Sequence, residues 1–420
     1  MRGKLFLSVV LVLVLVGTLA SVKADAATIK MMVRPDEGNV IETFTEKFEE
    51  ETGIEVQVDY VGWDQISTKT TSALMNQGGG YDILFIPSAN KKRFAAMDQF
   101  VALDQWYSAD EKEEFLSTVL DYYTYNGDMI GVPWYSGGAH FVYNADYLEQ
   151  AGVDPEQIDT WQDLLAVSGD ITADSDAEFA FTPSAKYPGN YYYNYGTMVY
   201  AMGGRFVDED NQPVFNQGVG LEALEILVEG VENEVFNPSG VSLDDYETLK
   251  VFQSGKSAFM INSTWSANQA QNPEASNVAE SAKIMPIPGG NDQETGGLMY
   301  AGAFGVVKAS ENKDEAVEYL KYLTGEEAQT MHAIEGNNLP TLLSLFEGEQ
   351  RQAINEEWPV YGQLIDQVEA GVFGLDVLWL DPFRQDLASA VQDALSGKKS
   401  PQTALDWAAE RAQEYIEEYQ

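Results

Sequence analysis

The chain has no cysteine, which removes disulfides, thiolate metal sites and cysteine nucleophiles in one step. Histidine is nearly as scarce. Only His140 and His332 occur, far apart and outside any H-E-x-x-H pattern, so metal-assisted hydrolysis lacks its usual ligands. A serine triad would have to use one of those two, and no G-x-S-x-G turn is present to carry its nucleophile. Bases number 24 against 67 acids, a net charge of −43. That surface repels phosphate backbones and anionic lipids, which disfavours nucleic-acid and membrane-surface roles and an acidic ligand. So little lysine fits a salty habitat, where counterions screen the self-repulsion. Beyond the amino terminus, no apolar run is long enough to span a bilayer.

At the amino terminus, Arg2 and Lys4 precede an almost wholly apolar run over residues 5–16, and Ala24, Asp25 and Ala26 form an A-x-A site. This pattern predicts a secretion signal over residues 1–26, cleaved on export. The rival reading is a retained anchor, because apolar character continues to Val22. Ser8, Gly17, Thr18 and Ser21 interrupt that stretch and leave it marginal for a span. The remaining chain, from 420 residues in all, suits two lobes better than one core.

From residue 28 the pattern is strand, helix, strand, helix, strand, ending on the apolar run 82–86. This order predicts a parallel sheet with ligand groups at the carboxyl ends of its strands. Those ends carry Arg34 and Asp36, then Ser88 and Asn90. The triple glycine 78–80 and the run Gly255, Lys256, Ser257 are read as turns, since neither has phosphate-loop spacing. The polar stretch around residues 208–211 is read as a hairpin turn, its calcium-loop pattern being incomplete.

Residues 127–148 organise the rest. Apolar residues 129–132 read as a strand, Pro133 is expected to stop regular pairing, and Ser136, Gly137 and Gly138 supply backbone freedom. A strand resumes at Phe141, and Asn144 opens a helix. One bent strand in a single sheet and a crossing between two lobes both fit this stretch. Gly127, Asp128, Met129, Ile130, Gly131, Val132 and Pro133, followed by Tyr143 and Asn144, resemble the crossing of the family 1 extracellular solute-binding proteins. These are the ABC-importer receptors that include maltose-binding proteins. Thr160 and Trp161, the run from Phe252 to Trp265, residues 283–288 and residues 323–329 resemble further motifs of that family in the right order, covering essentially the whole mature chain.

The resemblance implies a two-lobed α/β periplasmic-binding-protein fold of type II, with a ligand cleft between the lobes. Lobe 1 is expected from residues 27–136 with 303–338, and lobe 2 from 138–300 with 341–420. Hinges fall near 136–138, 300–303 and 337–340. The expected function is an extracytoplasmic receptor, not an enzyme, that binds a carbohydrate and delivers it to permease subunits. It would work in the periplasm as a monomer without cofactor or metal, and without the lipid-anchor cysteine of many relatives. A secreted carbohydrate-active hydrolase is the alternative, and a surface adhesin a weaker one. Ligand contacts are expected from Arg34, Asp36, Ser88 and Asn90, and from Tyr135, Gly137, Tyr300 and Gly302 on the crossings. Tyrosine's flat face and hydroxyl tip suit a sugar ring, which adds Tyr191 and Tyr193 from the aromatic run 187–195. The family pattern adds Trp265 and Trp379 as stacking aromatics.

Overall fold

The computed structural model describes residues 27–35, 38–187, 189–290 and 296–419. Thr28–Val33 (β1) leads into the helix Gly38–Thr52, Glu55–Tyr60 (β2) into the helix Trp63–Met75, and Ile83–Pro87 (β3) follows. β1 pairs in parallel with both β2 and β3, the arrangement that alternating strands and helices impose. All of β3 is buried, as a parallel strand covered on both faces must be. Gly53 closes the first helix, and Gly78, Gly79 and Gly80 follow the second. All four adopt positive φ, which costs a glycine almost nothing.

A ribbon of Thr124–Tyr125 (β4) and Asp128–Met129 (β5) precedes the strand Val132–Asn144 (β6). The expected stop at Pro133 is not observed, because β6 is continuous across it. The reason is a bulge. Gly302 of the partner strand faces Tyr135 and Ala303 faces Pro133, so Trp134 is the extra residue. A ladder bond is missing at a bulge in any case, so proline's lack of an N–H costs little there. Gly137 and Gly138 are not kinked either, and neither has positive φ. Gly137 is small because a Cβ would lie 2.6 Å from a ring carbon of Tyr300.

The later strands are Phe179–Phe181 (β7), Ser257–Ser263 (β8), Ala282–Met285 (β9), Leu298–Val306 (β10) and Val372–Phe373 (β11). β6 divides its partners by position. Residues 132–138 pair with β10, while residues 139–144 pair with β8 and β9. β10 continues from β6 to β3, and β7 pairs in parallel with β8. The strand order is therefore β2-β1-β3-β10-β6-β8-β7, with β11 on β10 and β9 on β6. A third segment lies alongside. Ser136 N–H donates to Leu339 O at 2.7 Å, and Leu339 N–H returns a bond to Ser136 O at 3.1 Å. The Ser136 hydroxyl donates to Pro340 O at 2.8 Å, and the Thr341 hydroxyl to Pro133 O at 3.2 Å. Three chain segments thus lie abreast at Ser136, with Ala301 opposite it on the other side.

Two cores flank this line. Phe141 enters one, with Trp161, Phe181, Phe206 and Phe383, and its neighbour Val142 enters the other, with Ile29, Phe85 and Phe304. The alternation follows from the two-residue period of a strand. Helices Lys313–Leu323 and Glu326–Gly336 belong with the first strands. The Phe48 and Tyr319 rings meet edge to face at 5.1 Å, and the Thr45 and Tyr319 hydroxyls bond at 2.7 Å. Within residues 341–420 the division of cores falls between Val368 and Leu375. Adding one methyl at position 137 should test the packing: Gly137→Ala is expected to cost about 1–3 kcal/mol by overpacking against Tyr300, read as a lowered urea midpoint at unchanged slope.

Candidate ligand-binding cleft

The wall contributed by the first strands starts at Arg34, just beyond β1 and 6% exposed. Its guanidinium lies 4.6 Å from the Trp63 ring, 4.8 Å from Tyr135 and 5.3 Å from Phe85, a cation held against aromatic faces. Tyr135 stacks with Phe85 at 6.2 Å and 14° and is buried. In the turn Ser88–Asn90, the Ser88 hydroxyl accepts from Ala301 N–H at 3.2 Å. Asn90 accepts from the Ser67 hydroxyl and donates to Asp381 at 3.4 Å. Asp36 lies outside the described residues.

Tyr300 stands on the crossing between the two sides. Burial pushes its phenol pKa up, opposed by hydrogen bonds from the Thr264 hydroxyl and backbone and by the Arg34 charge, while Asp245 adds to the rise. Gly302 is a packing position, since a Cβ there would fall 2.3 Å from the Tyr135 ring. Thr264 Oγ1 also accepts from Gly138 N–H at 3.2 Å and lies 2.9 Å from His140 Nε2. His140 is wholly buried, and that burial lowers its pKa to about 3, because desolvation disfavours the charged ring. His332 stacks on Trp134 at 4.3 Å and is also buried. Neither histidine reaches the cleft surface as an acid or base.

On the opposite wall, β8 ends at Ser263, whose hydroxyl accepts from Ser266 N–H and caps the helix Thr264–Ala270. The cap places Trp265 in the first turn, 40% exposed, with its ring edge to face against Tyr246 at 5.7 Å. Tyr246 is 55% exposed and Trp63 54%. Trp63 thus meets the Arg34 guanidinium, while Tyr246 and Trp265 meet each other. Tyr187 accepts from Arg384 at 3.2 Å, and Arg384 pairs with Asp381 at 2.6 Å.

Two expected contacts lie elsewhere. The Tyr191 ring packs beside Phe206 at 5.3 Å and its hydroxyl accepts from Leu375 N–H at 2.9 Å. Trp379 is 5% exposed and meets Phe383 edge to face at 5.4 Å. Both are packing residues of the second core, because each follows an apolar stripe whose other members are buried. Tyr193 is half-buried against the same core. Trp63, Asp245, Tyr246 and Arg384 were not among the residues expected from the sequence, whereas Tyr187 lies in the expected aromatic run. Trp63 had a usable signal: it sits just past the carboxyl end of β2, where an α/β sheet gathers ligand groups. Among the described residues, no group of three or more His, Cys, Asp or Glu is placed to hold a metal, and no helix is long and apolar enough to cross a membrane.

The strand order and the two cores on either side of β6 make this a two-lobed α/β fold. Residues 29–330 match the family model of the bacterial extracellular solute-binding proteins, and the chain belongs to that family. It is 24% identical to the mannitol-binding protein of Pseudomonas aeruginosa over 263 residues, 61% of this chain and 59% of that one. It is 26% identical to the lactose-binding protein of Rhizobium radiobacter over 286 residues, 64% of each. Maltose-bound T. maritima MalE3 shares the fold with a TM-score of 0.79 at 20% identity, covering 92% of this chain and 99% of that one. So does a solute-binding protein of Agrobacterium radiobacter K84 in complex with ribitol, with a TM-score of 0.78 at 19% identity, covering 93% and 99%.

Two measurements follow from the placement. Trp379→Ala should lower stability by about 3–5 kcal/mol through its cavity. Trp265→Ala should change the ligand-free melting curve by under about 1 kcal/mol, since an exposed ring leaves no cavity. Because folded His140 stays neutral while the unfolded ring gains a proton near 6.5, the unfolded state binds more protons below that pH. Stability is then lost as pH falls from 6.5 toward about 3, at up to about 1.4 kcal/mol per unit. Chemical denaturation of His140→Asn across pH 4–7 should show a slope flatter than wild type by that amount.

Proposed function

We propose that this protein is the extracytoplasmic solute-binding receptor of an ABC importer, that it takes a carbohydrate or polyol into the interlobe cleft, and that it presents the closed form to the permease. The observation that carries this reading is the set of exposed aromatic faces, Trp63, Tyr246 and Trp265, around a floor holding Arg34, Tyr300 and Asp245. Rings of this kind stack on the C–H faces of a sugar, and the polar floor meets its hydroxyls. Relatives named for mannitol, lactose and arabinooligosaccharide and folds solved with maltose and ribitol support the class. The contact set is Trp63, Tyr187, Tyr246, Trp265 and Tyr300, with Arg34, Ser88, Asn90 and Tyr193 at its edge. The lobes divide at the three crossings, whose hinge is centred on Ser136. Ligand drives closure only as far as it binds the closed form better than the open one.

The signal-like pattern of residues 1–26 supports a location outside the cytoplasm, and the lack of a lipid-anchor cysteine supports a periplasmic one. Its function is binding, without catalysis. A melting-shift screen over mannitol, ribitol, lactose, maltose and arabinooligosaccharides tests this. One class should raise the melting temperature and be recovered chemically unchanged. No shift in any class, or cleavage of the bound sugar, would overturn it. With the active class in hand, Trp265→Ala should weaken binding tenfold to a hundredfold, about 1–3 kcal/mol, and shrink the fluorescence change on titration.

A further inference from the structure

The two lobes also touch beside the β10 crossing. In a chain with 24 bases and 67 acids, Lys91, Lys92 and Arg93 stand in a row and open the helix Lys91–Ala96 just past the Ser88–Asn90 turn. Facing them is the segment after β11. Lys91 pairs with Asp376, its side chain 6% exposed and the carboxylate's 26%. Arg93 pairs with Asp381 at 3.3 Å, the same carboxylate that Asn90 reaches at 3.4 Å. Beside these pairs the Tyr122 ring stacks on Phe373 with centroids 3.8 Å apart and planes 15° from parallel, both rings lying against the first core. The Lys91 ammonium lies 4.4 Å from the centre of the Tyr122 ring.

We propose that these contacts form a latch that draws the lobes together without ligand, so that the empty receptor populates a closed form. Two strongly acidic lobes repel each other across a cleft. A basic triplet set against carboxylates reverses the sign of that interaction at one edge. The Lys91 pair is nearly dry, so salt screens it less than it screens the diffuse repulsion. Losing either partner leaves the other charge buried and unpaired, which favours opening.

The absence of native cysteine allows two introduced ones to report the lobe separation. Met75→Cys, 74% exposed in the wild type, and Glu149→Cys, also at an exposed position, would carry spin labels on opposite lobes. Without ligand, the labelled protein should show two distance populations, and small-angle scattering assigns the more extended one as open. In the Lys91→Gln/Arg93→Gln variant the open-to-closed ratio should rise about tenfold, with the radius of gyration rising too. Arg93→Gln alone, at a partly exposed position, should give a smaller rise with an unchanged melting curve. The exchanged pair Lys91→Asp/Asp376→Lys should close again relative to either single variant, an effect that lost packing does not produce. A wild type that is wholly open without ligand, or variants with unaltered populations, would overturn the latch.

Discussion

The arrangement depends on one backbone residue having neighbours on both sides. Ser136 exchanges two main-chain bonds with Leu339, lies opposite Ala301 and adds a side-chain bond to Pro340. Buried backbone groups cannot go unpaired without a cost comparable to a lost hydrogen bond. Three chain segments therefore meet their needs by lying side by side. That narrow ribbon leaves the lobes free to differ in everything else, including which helices cover them and which aromatics face the gap.

The cleft is built from helix starts and strand ends, where side chains leave the sheet. Trp265 emerges because Ser263 caps a helix directly after a buried strand. Tyr300 remains on the strand and reaches across to Thr264 at that same helix start. Several polar groups here are paired with one another. The hydroxyl of Thr264 alone meets Gly138 and His140, and such networks hold their geometry because each member left unpaired would be costly.

Much of this was legible in the sequence. The alternation from residue 28 to residue 86 gave the parallel strands, and the runs at 136–138, 300–303 and 337–340 are the segments that lie abreast. Reasons were harder to read than positions. Pro133 suggests an end to pairing, yet a bulge at Trp134 absorbs it, and a bulge depends on the partner strand. Gly137 suggests freedom, while its small size answers to the Tyr300 ring, a residue far along the chain. Tyr191 and Trp379 carry the chemistry of a sugar contact but not the exposure, which the second core decides. Trp63 has the exposure, but no local motif singles it out.

Alternate residues of β6 serve different cores, Phe141 one and Val142 the other, while the same strand is pinned to Leu339 and Ala301 at Ser136. The number of residues between Ser136 and Phe141 therefore has a parity. Inserting or deleting one residue there would exchange the groups that face the two sides of the sheet, turning His140 toward the side of Trp161 and Phe141 toward the side that now holds Val142. Loops elsewhere can lengthen one residue at a time, whereas this stretch tolerates change of length only in steps of two, and its five-residue span should resist drift even as side chains along it vary.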